Sequence, residues 1–278
     1  MTISEESQQL YQKKIQKQLK ENQSHLESLT HPGCQLKLTY PLNSNAPPLN
    51  DDELVFFFDI DNCLYKRSSG IHDLMQISIN DYVRTTLNLS KDDAQQLQSK
   101  YYHQYGLAIQ GLVKFHKINA IEYNEKVDDS LPLQDILYPD PELRQLLINL
   151  RLTGKVSRLW LFTNAYKNHA LRVIRLLGIA DLFDGLTYCD YEQPDEILCK
   201  PNPEFFQTAL KQAGCSNFEN CLFVDDSSAN VLTAKNLKFK NIVHFIERDQ
   251  DLGTTPHGVE LIRNILDLPK ILPEIFEP

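Results

Sequence analysis

Short apolar runs that end in polar side chains recur along the chain and predict the strands of a parallel sheet. The runs are rich in aromatic and β-branched residues and alternate little with polar ones, which is typical of strands buried on both faces. Three strong runs comprise residues 54–58, 158–162 and 221–224, and weaker runs comprise 186–190 and 241–246. Helical patterns separate most of these runs, so we expect right-handed βαβ crossovers.

Apolar residues at helical spacing occupy much of the remaining chain. They predict helices over residues 5–29, 71–88, 90–105, 121–127, 140–152, 168–177, 203–213 and 228–237, and a short closing helix with Leu261, Ile262, Ile265 and Leu266 at helical spacing. In the helix over 71–88, the residues expected to face inward are Leu74, Ile77, Tyr82, Val83 and Leu87. No strand pattern occurs between Tyr65 and Arg158, so this stretch predicts an all-helical insertion into the sheet.

These elements together predict an α/β fold, a Rossmann-like doubly wound parallel sheet that carries an inserted all-helical domain. We expect an N-terminal helix and linker over residues 1–53, a core made of 54–65 and 158–278, and the insertion over 66–157. The amphipathic N-terminal helix is expected to pack on the core, and binding of a partner or dimerisation is the alternative.

Composition narrows the classes of function. The chain has 278 residues and a net charge of −9, which argues against a nucleic-acid-binding face because such a face needs a basic patch. No apolar run approaches the roughly 18 residues of a membrane span, and the acidic N-terminus lacks an apolar signal segment. Six cysteines without a Cys-x-x-Cys pair indicate free thiols. We expect a cytoplasmic protein, with the nucleus as a second location, and these patterns assign no oligomeric state.

Two aspartates follow the first predicted strand directly. Asp59 and Asp61 start on the same side of an extended chain, where their charges repel unless a cation or a proton offsets them. Solvation of the strand end is the alternative interpretation. Further polar signals follow along the chain: Thr163 with Asn164, Lys200, and Asp225 with Asp226. Because the carboxyl ends of parallel strands meet at one edge of a sheet, we expect all of these side chains to converge there.

Such a group of residues suits phosphoryl transfer. A phosphate monoester is repelled by four carboxylates, and Mg²⁺ held by their oxygens offsets that repulsion. Lys200 adds a positive charge, and the Thr163 hydroxyl can donate a hydrogen bond to the transferring oxygens. One aspartate can attack phosphorus to form an aspartyl-phosphate, while the other protonates the leaving oxygen and then takes a proton from water.

The order and strand context of these residues resemble the haloacid dehalogenase-like (HAD) hydrolases, and within them the fungal pyrimidine 5′-nucleotidases. The resemblance reaches from the N-terminal helix to about residue 247 and rests mainly on the stretches Phe56–Tyr65, Asp128–Asp135, Leu159–His169 and Gly178–Gly185. It implies a Mg²⁺-dependent phosphomonoesterase for nucleoside 5′-monophosphates, with UMP and CMP favoured. It also implies that the helical insertion is the cap that closes over the substrate.

The resemblance carries roles onto individual residues. Asp59 matches the nucleophile and one Mg²⁺ ligand, and Asp61 matches the general acid/base, whose backbone carbonyl also binds Mg²⁺. Thr163 matches the phosphate-binding hydroxyl, with Asn164 beside it, and Lys200 matches the lysine that steadies nucleophile and phosphate. Asp225 matches a Mg²⁺ ligand, and Asp226 matches either a second ligand or one that binds through water. A plain helix-capping role is the alternative for Thr163 and for Asp226.

Several residues are candidates for contact with other parts of the substrate. Those in the insertion that could contact a base or ribose are Tyr101, Tyr102, Tyr105, Lys114 and His116. Packing inside the cap is the alternative for the tyrosines, and a solvated face is the alternative for Lys114 and His116. His169, after Thr163, could approach the phosphate or could simply lie at the surface.

Alternative functions stay open at this point. Another small monoester, such as a lysophosphatidate or a sugar phosphate, would use the same core residues, and so would a phosphomutase. A non-catalytic regulator that keeps the fold is a further alternative. The intact set of Asp59, Asp61, Lys200 and Asp225 argues against it, because an inactive copy would be free to lose them.

Overall fold

The fold of the protein is given by a computed structural model that describes residues 5–193 and 197–277. Part of the acidic N-terminus from which we predict the absence of a secretory signal, residues 1–4, lies outside the described residues. The strands in the described part are β1 (Val55–Phe58), β2 (Arg158–Phe162), β3 (Gly185–Thr187), β4 (Cys221–Asp225), β5 (Asn241–Phe245) and β6 (Glu260–Ile262).

The α-helices of the same part include one long N-terminal helix and shorter ones of about one to five turns. They are α1 (Glu5–Ser28), α2 (Ile71–Leu87), α3 (Lys91–Tyr105), α4 (Ala108–His116), α5 (Ala120–Val127), α6 (Pro141–Thr153), α7 (Lys167–Leu176), α8 (Pro203–Gln212), α9 (Ser228–Asn236), α10 (Leu268–Ile271) and α11 (Pro273–Phe276). The predicted helix starting after Ser90 is confirmed, since the Ser90 side chain accepts a hydrogen bond from Asp93 N and Gly106 ends the helix.

The six strands form one parallel sheet in the order β3-β2-β1-β4-β5-β6. Strand β1 lies in its interior, with Phe57 opposite Trp160 of β2 and Phe223 of β4. Alternate side chains of β1 enter different cores: Phe56 and Phe58 pack on the face that holds α6 and α7, and Phe57 packs on the face that holds α8 and α9. Burial on both faces explains the unbroken apolar run, and the predicted doubly wound α/β fold is confirmed.

The inserted helices pack mainly on one another. Helix α2 contacts α3 and α5, and α3 contacts α4; the ring of Tyr82 meets that of Tyr123 at 5.3 Å between centroids. Helix α6, by contrast, contacts α11, and its Thr153 hydroxyl donates a hydrogen bond to the carbonyl of Ile275. The end of the insertion at residue 157 stays a prediction, and these contacts tie α6 to the C-terminal segment rather than to α2–α5.

Two sequence predictions about apolar residues are wrong. Leu74 and Ile77 are 37 % and 59 % exposed, because α2 turns Ile79 and Tyr82 inward and these two lie on its other side. Leu261 and Ile262 belong to strand β6 instead of a helix, since they pair with β5 at the edge of the sheet. Helix α4 is an element that the sequence pattern does not predict.

Helix α1 lies within the predicted N-terminal helix and packs against α7 and the segment that follows α5; its assignment to the core stays a prediction. Ile15 is buried, and the Asn22 side chain donates hydrogen bonds to the carbonyls of Asp129 and Leu131, at 2.7 and 2.9 Å. Arg172 of α7 donates to the same two carbonyls. The chain that leaves α5 is therefore held from two sides. None of the helices in the described residues has the length and apolar character required to cross a bilayer.

Candidate active site

The first feature of the site is the edge at which β1, β2 and β4 end. Asp59 follows β1 directly, Thr163 follows β2, and Asp225 is the last residue of β4. The register places Phe58 beside Leu161 and Val224, so Asp59 lies level with Asp225 and with Phe162, the residue before Thr163. The convergence that the sequence predicts is thus a consequence of strand register.

Lys200 lies at the centre of this edge. Its Nζ atom donates hydrogen bonds to Asp59 Oδ1 at 2.7 Å, Asp225 Oδ2 at 2.6 Å and the carbonyl of Phe162 at 2.7 Å. The side chain is only 1 % exposed. Asn164 fixes the Lys200 backbone from both directions, donating to its carbonyl at 2.9 Å and accepting from its N–H at 2.7 Å. Asn164 therefore acts here by positioning the lysine loop.

Burial and neighbouring charges together determine the pKa values of these groups. Burial raises the pKa of Asp59, and the charges of Asp225 and Asp226 raise it further against the opposing effect of Lys200. Burial alone would lower the pKa of Lys200, but Asp225 and Asp59 outweigh it and raise that pKa. The ammonium group is thus held charged beside Asp59, whose own pKa stays raised.

Three carboxylates form a compact group beside Lys200. Oxygen atoms of Asp59, Asp225 and Asp226 lie within 4.8 Å of one another. Burial and the charge of Asp225 raise the pKa of Asp226 to about 7. Asp225 Oδ1 is already fixed, since it accepts from Ser227 N at 2.8 Å and from Asn230 Nδ2 at 2.9 Å. An oxygen-only donor set with such mutual repulsion fits Mg²⁺, which prefers carboxylate ligands and would relieve the repulsion.

Asp61 lies beside this group and has different partners. Its Oδ1 atom accepts a hydrogen bond from the Tyr65 hydroxyl at 2.5 Å and lies 2.7 Å from Nε2 of His169. Burial raises the pKa of Asp61, but the contacts with His169 and Tyr65 outweigh this and lower it overall. The His169 pKa is raised, because the Asp61 carboxylate outweighs the effect of burial. Asp61 is not part of the three-carboxylate group, and its predicted carbonyl contact with Mg²⁺ stays a prediction.

Thr163 lies at the base of the site. It is fully buried, and its hydroxyl accepts a hydrogen bond from Ala165 N at 3.0 Å, in the turn that leads to α7. The hydroxyl proton is free to point elsewhere, since an oxygen that accepts can also donate. This geometry accommodates both sequence interpretations of Thr163, the local cap and the phosphate contact.

A cavity of about 1720 Å³ opens between this edge of the sheet and helices α2–α4. Its floor includes Asp59, Asp61, Thr163, Asn164, Lys200 and Asp226. Its opposite wall includes Gln98 and Tyr102 of α3, together with Tyr105 at the end of that helix. The candidate chemistry is thus located at the bottom of a deep cleft beneath the inserted helices.

The other insertion candidates do not line this cavity in the described residues. Tyr101 is buried, and its ring covers Gly111 so closely that an added Cβ there would lie 2.2 Å from the Tyr101 Cγ atom. The Tyr101 hydroxyl lies 2.8 Å from His116 Nε2. Lys114 is exposed, and its Nζ atom lies 5.6 Å from the ring centre of Tyr105. The predicted contact of Tyr101, Lys114 and His116 with the base or ribose stays a prediction, and the position of these residues away from the cavity wall does not support it.

Comparison with known proteins decides the family. A haloacid dehalogenase-like hydrolase family model matches residues 54–238. Phosphate metabolism protein 8 of Saccharomyces cerevisiae is 43 % identical over 295 residues, covering 100 % of this chain and 91 % of that protein. The chain belongs to the HAD-like hydrolases. The family predicted from the motifs is confirmed, and the relative comes from a fungus, as the motifs indicate.

Solved structures support the fold of this HAD-like hydrolase. A hydrolase from Pseudomonas syringae has a TM-score of 0.54 at 19 % identity, covering 80 % of this chain and 99 % of that one. A β-phosphoglucomutase from Clostridium difficile has a TM-score of 0.53 at 18 % identity, covering 81 % and 97 %. At these identities the similarity establishes the fold.

Sequence reasoning missed several residues of the site in this HAD-like hydrolase. It considers His169 for the phosphate, whereas the structure places His169 against Asp61 with no exposed surface. It assigns no role to Tyr65 or Asn230, which donate hydrogen bonds to Asp61 and Asp225. The position of Tyr65 four residues after Asp61 is a weak signal, and nothing in the sequence pairs His169 with Asp61.

Proposed function

We propose that this HAD-like hydrolase is a Mg²⁺-dependent phosphomonoesterase that acts through an aspartyl-phosphate on Asp59. The observation that carries the proposal is the Lys200 ammonium, bound to both Asp59 and Asp225 at the floor of the cleft. It steadies the nucleophile and offers positive charge where a phosphate dianion must approach carboxylates. Mg²⁺ bound by Asp59, Asp225 and Asp226 would neutralise further charge on the substrate.

The proposed reaction has two chemical steps, formation and hydrolysis of the aspartyl-phosphate, and Asp59 and Asp61 act in both. In the first step Asp61 reacts in its protonated form. An oxygen of Asp59 attacks phosphorus, the bond from phosphorus to the leaving oxygen breaks, and protonated Asp61 gives that oxygen a proton. Water then attacks the phosphorus of the aspartyl-phosphate and gives a proton to Asp61. Phosphate is released and Asp59 is regenerated. Lys200 stays charged throughout, and the Thr163 hydroxyl donates a hydrogen bond to a transferring oxygen.

Nucleoside 5′-monophosphates, with UMP and CMP favoured, are the substrates that we propose. A cleft of about 1720 Å³ has room for a nucleotide, and its helical wall offers Tyr102 and Tyr105 for stacking on a base. Gln98 also lines this wall, where its amide nitrogen donates a hydrogen bond to Gln76 Oε1. The motif resemblance to fungal pyrimidine 5′-nucleotidases supports the same choice. The cytoplasmic or nuclear location stays a prediction.

Phosphate release over a panel of monoesters tests the proposal. The panel contains UMP, CMP, AMP, GMP, their deoxy forms, a lysophosphatidate and several sugar phosphates, each with Mg²⁺ and with EDTA. Asp59→Asn runs beside the wild type, and the exposed Asp51→Asn is the matched control. We expect preference for UMP and CMP that EDTA and Asp59→Asn abolish and Asp51→Asn preserves. Activity concentrated on a lipid or sugar phosphate would overturn the proposed nucleotide specificity. No turnover of any monoester would overturn the proposed phosphomonoesterase activity.

A further inference from the structure

The Asp61 carboxylate is held through one of its two oxygens. The Tyr65 hydroxyl and Nε2 of His169 both meet Oδ1, at 2.5 and 2.7 Å. Within the described residues, no protein hydrogen bond reaches the other oxygen, Oδ2. The two donors therefore distinguish two oxygens that are chemically equivalent in a free carboxylate.

The chain builds this arrangement from two separate segments. Tyr65 ends the motif that starts in β1, and it is 7 % exposed. His169 lies in the first turn of α7, with no exposed surface, and it reaches Asp61 across 108 positions of sequence. Both donors are thus packed in the protein interior, where their side chains have little rotational freedom.

Nothing else in the proposed reaction uses His169. Its Nε2 atom is occupied by Asp61, and its Nδ1 atom is buried without a hydrogen-bond partner in the described residues. A buried imidazole whose single hydrogen bond goes to the proposed acid/base is placed to orient that group rather than to contact phosphate. An orienting partner of this kind fixes both the rotamer of the carboxylate and the oxygen that reacts.

We propose that His169 is a positioning residue for Asp61, and that with Tyr65 it makes Oδ2 the oxygen that transfers the proton. This inference rests on the proposed phosphomonoesterase activity. In the first step the Oδ2–H bond breaks, the proton joins the leaving oxygen, and that oxygen separates from phosphorus as Asp59 binds. With Oδ1 occupied by two donors, the carboxylate presents Oδ2 to the cleft in one orientation.

The proposal predicts that the loss of kcat/KM on replacing His169 depends on the leaving group of the substrate. The ribose oxygen of UMP needs a proton to leave, whereas the nitrophenolate of p-nitrophenyl phosphate leaves as a stable anion. Because kcat/KM reports the steps up to release of the leaving group, a misplaced Asp61 lowers it for UMP far more than for p-nitrophenyl phosphate. A purely structural role of His169 would lower both by the same factor.

The experiment compares kcat/KM for these two substrates in the full chain with Mg²⁺. His169→Leu removes the donor, and His169→Gln keeps an N–H near the place of Nε2. We expect His169→Leu to lose about 10–100-fold with UMP, as partners of reactive groups commonly do, and at most about 3-fold with p-nitrophenyl phosphate. His169→Gln should recover most of the loss. Tyr65→Phe, which removes only a hydroxyl, should show the same preference in weaker form and serves if His169→Leu does not fold.

The outcomes separate this inference from the proposed function. A wild-type enzyme that turns over neither substrate overturns both. An active wild type whose variants lose both substrates equally, or lose neither, overturns the role of His169 and leaves the phosphomonoesterase intact. His169→Gln behaving like His169→Leu also contradicts positioning through the hydrogen bond. If another alkyl monoester replaces UMP as the best substrate of the panel, that monoester takes its place in the ratio.

Discussion

The Nζ atom of Lys200 lies 2.7 Å from Oδ1 of Asp59 in the protein interior, where the two side chains are 1 % and 8 % exposed. Such a pair is costly to bury and costly to break, because a lone buried charge has neither water nor a partner. The second partner of Lys200, Asp225, is fully buried as well. One ammonium group thus stabilises two carboxylates that would otherwise repel each other across the floor of the cleft.

Removal of the Lys200 charge is expected to destabilise the fold as well as to stop turnover. Lys200→Met leaves Asp59 and Asp225 without their buried cation, and breaking such a pair costs about 3–5 kcal/mol of unfolding free energy. Urea unfolding in EDTA at 25 °C measures this, with the exposed Lys211→Met on α8 as the matched control. A loss below about 1 kcal/mol would show that the carboxylates find another way to neutralise their charge.

Mg²⁺ binding is expected to stabilise the wild-type protein and to depend on Asp226. A ligand that binds only the folded state at 100 times its Kd adds about 2.7 kcal/mol to the free energy of unfolding. We expect Mg²⁺ to raise the thermal midpoint of the wild type and of Asp51→Asn, and to raise that of Asp226→Asn much less. The readout does not depend on activity. Equal shifts in Asp226→Asn and in the wild type would remove Asp226 from the ligand set.

Asp128 is expected to make stability depend on pH. Burial raises its pKa from 3.8 to about 7, so the folded state binds a proton that the unfolded state releases, and this contribution to stability is lost as pH rises from about 4 to 7. Asp128→Asn removes the cost of the charge. The variant should match the wild type near pH 4 and exceed it at pH 8 by about 1 kcal/mol or more.

Urea unfolding of Asp128→Asn at both pH values, in EDTA, checks this expectation. Asp135→Asn, at an exposed position of the same segment, is the control. Its unfolding free energy should differ from that of the wild type by the same amount at both pH values. Destabilisation by Asp128→Asn that is equal at pH 4 and pH 8 would mean that the carboxylate has a compensating partner, and the charge of Asp128 would then not be costly.

Sequence reasoning predicts the fold and the centre of the site for one physical reason. Asp59, Thr163 and Asp225 each follow an apolar run, and parallel strands in register bring their ends together. Lys200 has no strand before it, and its place follows from the resemblance to the family. Its actual support, a pair of hydrogen bonds between its backbone and the Asn164 side chain, is a loop contact that no periodicity encodes.

Contacts between distant segments are what the sequence does not predict. His169 and Asp61 are 108 positions apart, and only the packing of α7 beside the sheet brings them together. Edge strand β6 is missed because three residues carry too little pattern, and the same apolar residues fit a helical spacing. Tyr101 and Tyr102 look alike in sequence, yet one step along a helix turns the side chain by about 100°.

Tyr102, rather than Tyr101, is expected to contribute to nucleotide binding. Tyr102 is 54 % exposed and lines the cleft, whereas Tyr101 is 4 % exposed and packs on Gly111. Stacking of a base on an aromatic ring is worth about 1–3 kcal/mol, so Tyr102→Ala should lower kcat/KM for UMP about 5-fold or more. The same variant should leave kcat/KM for a small monoester without a base nearly unchanged, because no ring contacts that substrate.

Tyr101→Phe should instead cost about 1 kcal/mol of unfolding free energy through the lost contact with His116, and leave kcat/KM for UMP as it is. Equal loss with both substrates in Tyr102→Ala, or a selective loss in Tyr101→Phe, would place the base elsewhere in the cleft.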